Sequence, residues 1–323
     1  MIDQFGRTID YMRLSITDRC NLRCQYCMPR GIQLARHSDI LSYEEMLRIC
    51  AAAVSLGIVN FKVTGGEPLI RKDCVDFIAR LKGLPGVEQV TLTTNGLLLH
   101  ENLDALCAAG IDGINISIDT VCDADYRKLT GYPNEAVSLI RESLIECVRR
   151  NLRIKVNTVL LTQTFDGLPH VAAMAAELPV DVRFIELMPI GEGGGMQGVP
   201  MQAARSRLQK SWPDLHPVEE RRGNGPAHYY AAAGLKGRIG FIDAVSHSFC
   251  GACNRVRLTA TGSLKPCLCY DEELNVRAML RDGCSDEALQ RAVRNCIWQK
   301  PHSHCFVRPE SVTEQKAMSQ IGG

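Results

Sequence analysis

No stretch of this chain stays apolar for long enough to cross a bilayer, so nothing in it predicts a membrane span. An excess of one charge is missing too: 37 Lys and Arg stand against 36 Asp and Glu, a net charge of +1. That balance excludes a generic nucleic-acid surface and leaves local basic clusters open. The N-terminus holds Asp3, Asp10 and Arg13 where a secretory leader would place a positive start and an apolar core. There is no internal repeat, and wholesale disorder is excluded because 46% of the 323 residues are hydrophobic. What the sequence has in abundance is cysteine, fifteen residues and an odd number. Without an export signal the expected compartment is the cytoplasm, where clustered cysteines read as metal or redox ligands rather than disulfides. Cys50, Cys74, Cys107, Cys122 and Cys147 fall singly and read as small buried hydrophobes.

Two cysteine groups stand apart from that background. Cys20, Cys24 and Cys27 lie in the run C-N-L-R-C-Q-Y-C. Their C-x-x-x-C-x-x-C spacing offers three thiolates to a cubane iron–sulfur cluster that takes four ligands, which leaves one iron open to a small molecule. A structural zinc site would close with a fourth Cys or His, and the nearest candidate, His37, stands outside the loop. Cys250 and Cys253 form a C-x-x-C pair, with Cys267 further on. Here the spacing leaves zinc and a second cluster both open, with Cys269 beside Cys267 as a candidate fourth ligand. Between these cysteines runs Asn254-Arg255-Val256-Arg257-Leu258-Thr259. Strand alternation puts Arg255 and Arg257 on one face beside the metal, where two guanidinium forks suit a polyphosphate or carboxylate.

The length accommodates one barrel and a second module. From Met12 to Met188 short apolar strands alternate with helices, the strands expected at 13–17, 60–64, 89–94, 113–118, 153–160 and 182–187. One helix is expected over 43–56, with Ser42 and Glu45 as its capping box and Gly57 as its stop. Another is expected over 135–150, capped by Asn134. Such alternation predicts an α/β chain with a parallel sheet whose functional loops sit at the carboxyl ends of the strands. The motifs fall there: the cysteine loop after the first strand, Gly65-Gly66-Glu67-Pro68 after the second and Thr94-Asn95-Gly96 after the third. Ser117 and Asp119 end the fourth, Lys155 lies in the fifth, and Glu186 to Met188 close the sixth. Gly191 to Gly195 reads as a linker, followed by a helix over 201–210, a strand over 238–243 and helices near 275–281 and 286–298.

Together these motifs resemble the radical S-adenosylmethionine (SAM) superfamily, and within it the GTP 3′,8-cyclases of molybdenum cofactor biosynthesis. The resemblance rests on F-G-R at Phe5–Arg7, R-L-S-I-T-D-R-C at Arg13–Cys20, Y-C-M-P at Tyr26–Pro29 and T-G-G-E-P-L-I-R at Thr64–Arg71. It continues with T-T-N-G at Thr93–Gly96, S-I-D at Ser117–Asp119, R-F-I-E-L-M at Arg183–Met188, C-x-x-C-N-R-V-R-L-T from Cys250, and the ending M-S-Q-I-G-G. It implies a partial (β/α)6 TIM-like barrel over residues 1–190, with a C-terminal iron–sulfur domain over 191–323 covering its open side. Cys20, Cys24 and Cys27 would hold a [4Fe–4S] cluster that binds the polar end of SAM, and Tyr26, Gly66, Ser117 and Met188 would hold the rest of it. Cys250, Cys253 and Cys267 would hold a second [4Fe–4S] cluster facing the guanine. Arg13, Lys62, Thr93, Lys155, Arg255, Val256 and Arg257 would bind GTP, mainly its phosphates, with the first cysteine trio, Arg255 and Arg257 as the catalytic set.

The implied activity is reductive cleavage of SAM to a 5′-deoxyadenosyl radical that abstracts the GTP 3′ hydrogen. Bond formation between C3′ and C8 then gives (8S)-3′,8-cyclo-7,8-dihydroguanosine 5′-triphosphate. The implied partners are GTP, a flavodoxin- or ferredoxin-like electron donor, a second copy in a homodimer, and the cyclic pyranopterin monophosphate synthase that takes the product, with no nucleic acid and no membrane. The Gly322-Gly323 tail would reach toward the active site, although a terminal glycine pair by itself reads as a frayed end. Two other readings remain: a radical enzyme that modifies peptides, and a non-catalytic sensor holding zinc.

Overall fold

The computed structural model describes residues 1–28 and 30–322. Its centre is six parallel strands standing side by side in chain order: β1 (Tyr11–Ser15), β2 (Asn60–Thr64), β3 (Gln89–Thr94), β4 (Gly113–Ser117), β5 (Ile154–Leu160) and β6 (Asp181–Glu186). Period-two alternation gives each strand two unlike faces. Met12 and Leu14, Phe61 and Val63, Val90 and Leu92, Ile114 and Ile116, Val156, Val182 and Phe184 are buried in one apolar core. The same core takes in Met46 and Ile49, Phe77 and Leu81, Leu103 and Leu106, and Ile140 and Leu144 from the intervening helices. The alternate residues, Arg13, Lys62, Thr93, Asn115, Lys155, Asn157 and Arg183, line cavities on the other, concave face.

After β6 the chain extends both edges of this sheet. At one edge β9 (Ile239–Ile242) runs parallel to β6, with β8 (His228–Ala231) and β7 (His216–Val218) antiparallel beyond it. At the other, β10 (Arg255–Leu258) runs parallel to β1, with β11 (Ser263–Lys265) and β12 (Leu274–Asn275) antiparallel outside it. Among the described residues the sheet has twelve strands, and its end strands β12 and β7 do not pair with each other. Residues of β1, β6, β9 and β10 nonetheless border one cavity, so the sheet curls into a partial barrel without closing. Among the described residues no helix is long and apolar enough to cross a membrane.

Local signals placed most elements within two residues. The helix Tyr43–Val54 begins at the expected capping box, with Ser42 Oγ accepting from Glu45 N at 3.1 Å and Glu45 Oε2 accepting from Ser42 N at 2.7 Å. Gly57 follows at φ 88°, where a Cβ would be strained. The helix expected over 135–150 runs Val137–Arg149, and Asn134 does not cap it. Its first amides, Ala136 N and Val137 N, donate instead to the Asp123 carboxylate at 2.9 and 3.1 Å, a cap supplied from outside the local pattern. The glycine run Gly191–Gly195 is a 3-10 turn rather than a loose linker. Gly193 is buried, and a Cβ there would stand 2.6 Å from the Met188 carbonyl, so the turn folds back tightly on the end of β6.

The F-G-R motif serves as a clasp. Arg7 is buried, donates to Asp3 Oδ2 at 2.6 Å, and donates to the carbonyls of Cys250, Pro301 and His302 at 3.0, 2.8 and 2.9 Å. The N-terminus is thereby tied to the Cys250 loop and to the segment after the helix Asp286–Trp298. Removing one partner of a buried ion pair leaves the other unpaired, a loss of roughly 3–5 kcal/mol. Arg7→Ala is expected to lose about that much stability in guanidinium unfolding, and Arg7→Lys to recover only part of it, because a single ammonium cannot reproduce the planar fork. A loss under about 1 kcal/mol for Arg7→Ala would show that the clasp does not hold the termini.

Candidate active site

The loop between β1 and the first helix carries the first cysteine trio. Cys27 N and Met28 N both donate to the Cys24 carbonyl, at 3.0 and 2.9 Å, a tight turn that brings Cys24 and Cys27 to one side. Leu22 N donates to Cys20 Sγ at 3.3 Å. The glycines after β2 explain how this loop is seated. Gly66 N donates to the Thr17 carbonyl at 2.7 Å, and a Cβ on Gly66 would lie 2.2 Å from the Arg19 carbonyl. Only glycine permits the backbone of β2's exit to cross the cysteine loop at that distance.

Two buried carboxylates fasten the rim. Glu67 accepts from Leu69 N at 3.1 Å, Thr94 Oγ1 at 2.8 Å and Asn95 N at 2.7 Å, joining the exits of β2 and β3. Burial pushes its carboxyl up to about 7 against those three donors. Asp119 accepts from Val159 N at 2.7 Å and from the Tyr26 hydroxyl at 2.8 Å, joining the cysteine loop to β4 and β5. Burial holds that carboxyl at about 6 although both bonds lower it. Asn95 reaches Asn21 Oδ1 at 2.8 Å, so the T-T-N-G turn touches the cysteine loop as well.

The second trio faces the first across one cavity of about 300 Å³ lined by Cys20, Cys24, Cys27, Cys250, Cys253 and Cys267. Burial works to raise the Cys250 thiol, but bonds from His304 and Ser248 bring it down to about 7. Burial likewise works to raise Cys253, and the Lys300 and Arg255 charges bring it below the usual thiol value. Burial raises Cys20 to about 11 and Cys27 to about 12. The two thiols of the C-L-C run have different surroundings. Cys267 lines the cavity, while Cys269 is fully buried with its Sγ 3.0 Å from Cys305 Sγ. Among the described residues no three His, Cys, Asp or Glu side chains close round a single ion. A cubane attaches each thiolate to a separate iron, so its ligands stand further apart than those of one ion.

Below that cavity lies a second of about 510 Å³, sharing Arg13, Thr93, Asn157, Arg255 and Pro226 with it. Its wall is cationic. Arg257, Arg13 and Lys62 are Cα partners on β10, β1 and β2. Burial, then the charges of Arg183 and Arg13, holds Lys62 well below an ordinary lysine. Burial, then Arg183, brings Lys155 down to about 8. Arg257 Nη1 donates to the Gly322 carbonyl at 2.7 Å, so the C-terminal tail reaches the cation row rather than fraying. Gly322 sits at φ 89°, and a Cβ there would stand 2.8 Å from Ser15 Cβ; Gly323 lies outside the described residues.

Of the residues expected to bind small molecules, Tyr26, Gly66, Ser117 and Met188 border the upper cavity, Lys62 and Lys155 the lower, Arg257 the upper, and Arg13, Thr93 and Arg255 both. Val256 is the exception: its side chain is packed in the apolar core, and only its backbone faces the strand edges. Arg183 was missed, although it shares the alternation of β6; its Nε and Nη2 donate to Asn157 Oδ1 at 2.9 and 2.6 Å. Lys300, which donates to the Arg255 carbonyl at 2.9 Å, and His304, whose N donates to Cys250 Sγ at 3.3 Å, carry no local signal.

The Radical SAM superfamily model matches residues 14–175, and the Molybdenum Cofactor Synthesis C model matches residues 180–306. The GTP 3′,8-cyclase of Heliobacterium modesticaldum is 42% identical over 330 residues, and that of Clostridium perfringens strain 13 is 39% identical over 325, each alignment covering 100% of both chains. Among solved structures, Streptococcus suis SuiB bound to S-adenosylmethionine superposes with a TM-score of 0.64 at 13% identity, covering 97% of this chain and 78% of that one. The anSMEcpe structure with bound AdoMet gives 0.59 at 13%, covering 96% and 90%. At such identity these two establish the fold. The sequence matches run end to end at about two-fifths identity and leave no segment outside the comparison, and the chain belongs to the GTP 3′,8-cyclase family of the radical SAM superfamily.

Proposed function

We propose that this chain converts GTP to (8S)-3′,8-cyclo-7,8-dihydroguanosine 5′-triphosphate, the first step of molybdenum cofactor biosynthesis, using S-adenosylmethionine and two [4Fe–4S] clusters. The observation that carries this reading is the row of cations Arg257, Arg13 and Lys62 on adjacent strands, in a chamber continuous with both cysteine trios. Like charges on neighbouring strands repel, and burial raises the cost. A bound triphosphate relieves both.

Cys20, Cys24 and Cys27 fit the cluster that serves SAM: three thiols on one loop border one cavity, with a backbone amide already directed at the Cys20 sulfur. When bound, that cluster supplies the electron that cleaves SAM. Tyr26, Gly66, Ser117 and Met188 border the place where SAM would lie. Cys250, Cys253 and Cys267 fit a second cluster, with the thiols of Cys250 and Cys253 held low by their surroundings. Arg13, Lys62, Thr93, Lys155, Arg255, the Val256 backbone, Arg257 and also Arg183 receive the nucleotide, the phosphates running down the concave face. Their work is orientation: anchored phosphates fix the ribose relative to SAM, and a fixed geometry directs a reactive group to one hydrogen. Residues 1–190 supply the SAM half, and residues 191–323 the guanine half. The electron comes from a flavodoxin- or ferredoxin-like donor, and the product passes to the cyclic pyranopterin monophosphate synthase.

Anaerobic protein should carry about eight irons per chain if both trios hold cubanes. Given reductant, SAM and GTP, it should form 5′-deoxyadenosine and consume GTP. Release of 5′-deoxyadenosine that GTP neither raises nor accompanies with its own loss would refute the assignment. Arg257→Ala is expected to weaken GTP binding about tenfold to hundredfold, the worth of a charge-assisted bond, with SAM affinity unchanged; an equal loss for both ligands would contradict the role given to Arg257.

The pH dependence follows from Lys155. Its ammonium is depressed to about 8 by burial and by Arg183, and a phosphate would raise it. Below that value the group is already protonated and affinity is complete. Above it each binding event takes up a proton, so affinity falls as pH rises through about 8, by at most about tenfold per unit. Titration calorimetry of GTP between pH 7 and 9.5 should show this fall, and Lys155→Met should flatten it.

A further inference from the structure

β7 and β8 form an antiparallel hairpin at the β9 edge. Its connecting loop, residues 219–227, lies across the concave face, where Arg221, Arg222, Gly223, Asn224, Gly225 and Pro226 border the lower chamber. Four contacts hold it, one of them the ion pair in which Arg238 Nε and Nη2 donate to Glu220 Oε1 at 3.2 and 2.8 Å. Arg222 Nε donates to both oxygens of Asp181 at 3.0 Å, and its Nη1 donates to Glu220 Oε2 at 2.9 Å. Asn224 Nδ2 donates to Gln89 Oε1 at 2.8 Å, reaching past β6, β5 and β4 to the first residue of β3. Lys155 Nζ donates to the Arg222 carbonyl and stands 5.9 Å from the Tyr229 ring centroid. Both of these Lys155 partners belong to the hairpin.

The loop lies directly against Lys155. Gly223 has φ +114°, and a Cβ there would stand 2.7 Å from Lys155 Nζ. A neutral carbonyl and a ring face are weaker partners for an ammonium than a phosphate oxygen, so the contact is one that a polyanion can take over. The other three contacts do not involve Lys155 and survive that exchange.

We propose that the loop 219–227 is the end wall of the phosphate chamber and sets the length of phosphate chain the enzyme accepts. Asn224 and Gln89 are its specificity-determining clasp, and Lys155 is the group that the wall yields to the terminal phosphate. This inference rests on the GTP reading above. With the clasp closed, a triphosphate that reaches the wall meets Lys155 there. With the clasp open, the Gly223–Asn224 tip is freed while the ion pairs of Arg222 and Glu220 still hold the base of the loop, so the wall loses its fixed position beside Lys155, and the contacts near Arg13 and Arg257 that serve a shorter chain are unaltered.

The test is equilibrium binding of GTP, GDP and guanosine to the cluster-loaded, SAM-bound full chain without reductant. Asn224→Ala and Gln89→Ala should each weaken GTP binding about fivefold, the worth of one hydrogen bond, and leave GDP within about twofold. The double variant should be no worse than either single, because the two side chains make one interaction. Gly223→Ala should also weaken GTP more than GDP, by a route that leaves the clasp in place. An equal loss for GTP and GDP, or no loss in either clasp variant, overturns the end wall and leaves the GTP reading standing. Failure of the unaltered protein to bind GTP overturns both.

Discussion

The constraint on which the rest of this structure depends is a row of cations that alternation forces onto the concave face. Arg257, Arg13 and Lys62 are register partners, and neighbouring strands stand about 4.8 Å apart. Like charges brought onto adjacent strands repel, and burial raises the cost. Arg183 and Lys155 add to the same field, and Lys62 and Lys155 are depressed in consequence of burial and of these neighbours. A fold that accepts this cost needs an apolar face strong enough to offset it. The opposite side of the same strands provides one, in the continuous core running from Met12 to Phe184 and into the helices.

The rim above that row is stiffened by different means. Close backbone crossings at Gly65 and Gly66, where any Cβ would strike Thr17 or Arg19, fix the height of the cysteine loop over β2. Glu67 then joins the exits of β2 and β3 through amide and hydroxyl donors, and Asp119 ties β4 and β5 to that loop through the Tyr26 phenol. Buried carboxylates with two or three donors each are costly to disturb, so the loop that carries Cys20, Cys24 and Cys27 is held by groups that lie outside it. Pre-organisation of this kind suits chemistry in which a reactive group must meet one hydrogen and no other.

The two halves of the chain share one sheet. β10 lies beside β1 and brings Arg255 and Arg257 next to Arg13, while Arg7 ties the N-terminus to the Cys250 loop and the segment at Pro301 and His302. The C-terminal tail closes the arrangement: Ser319 N donates to the Cys27 carbonyl at 3.5 Å, and Gly322 offers its carbonyl to Arg257. One short terminal segment thus touches both the first cysteine loop and the cation row.

The local units are written in the order of the residues. Strand positions, the Ser42 capping box, both cysteine groups and the pairing of Arg255 with Arg257 were legible because each depends on spacing within a few residues. Arg183 was legible in principle, sharing a strand face with Asp181 and Ile185. Other features arise only once distant parts of the chain meet: Asp123 capping the helix at Val137, Cys267 facing the cavity while Cys269 turns to Cys305, and Val256 committed to the core. The hairpin wall reaching Gln89 and the tail reaching Arg257 belong to the same class. The physical reason is common to them all. A hydrogen bond or a burial fixed by curling a sheet pairs groups dozens or hundreds of positions apart, and no local period records which partner the curl will bring.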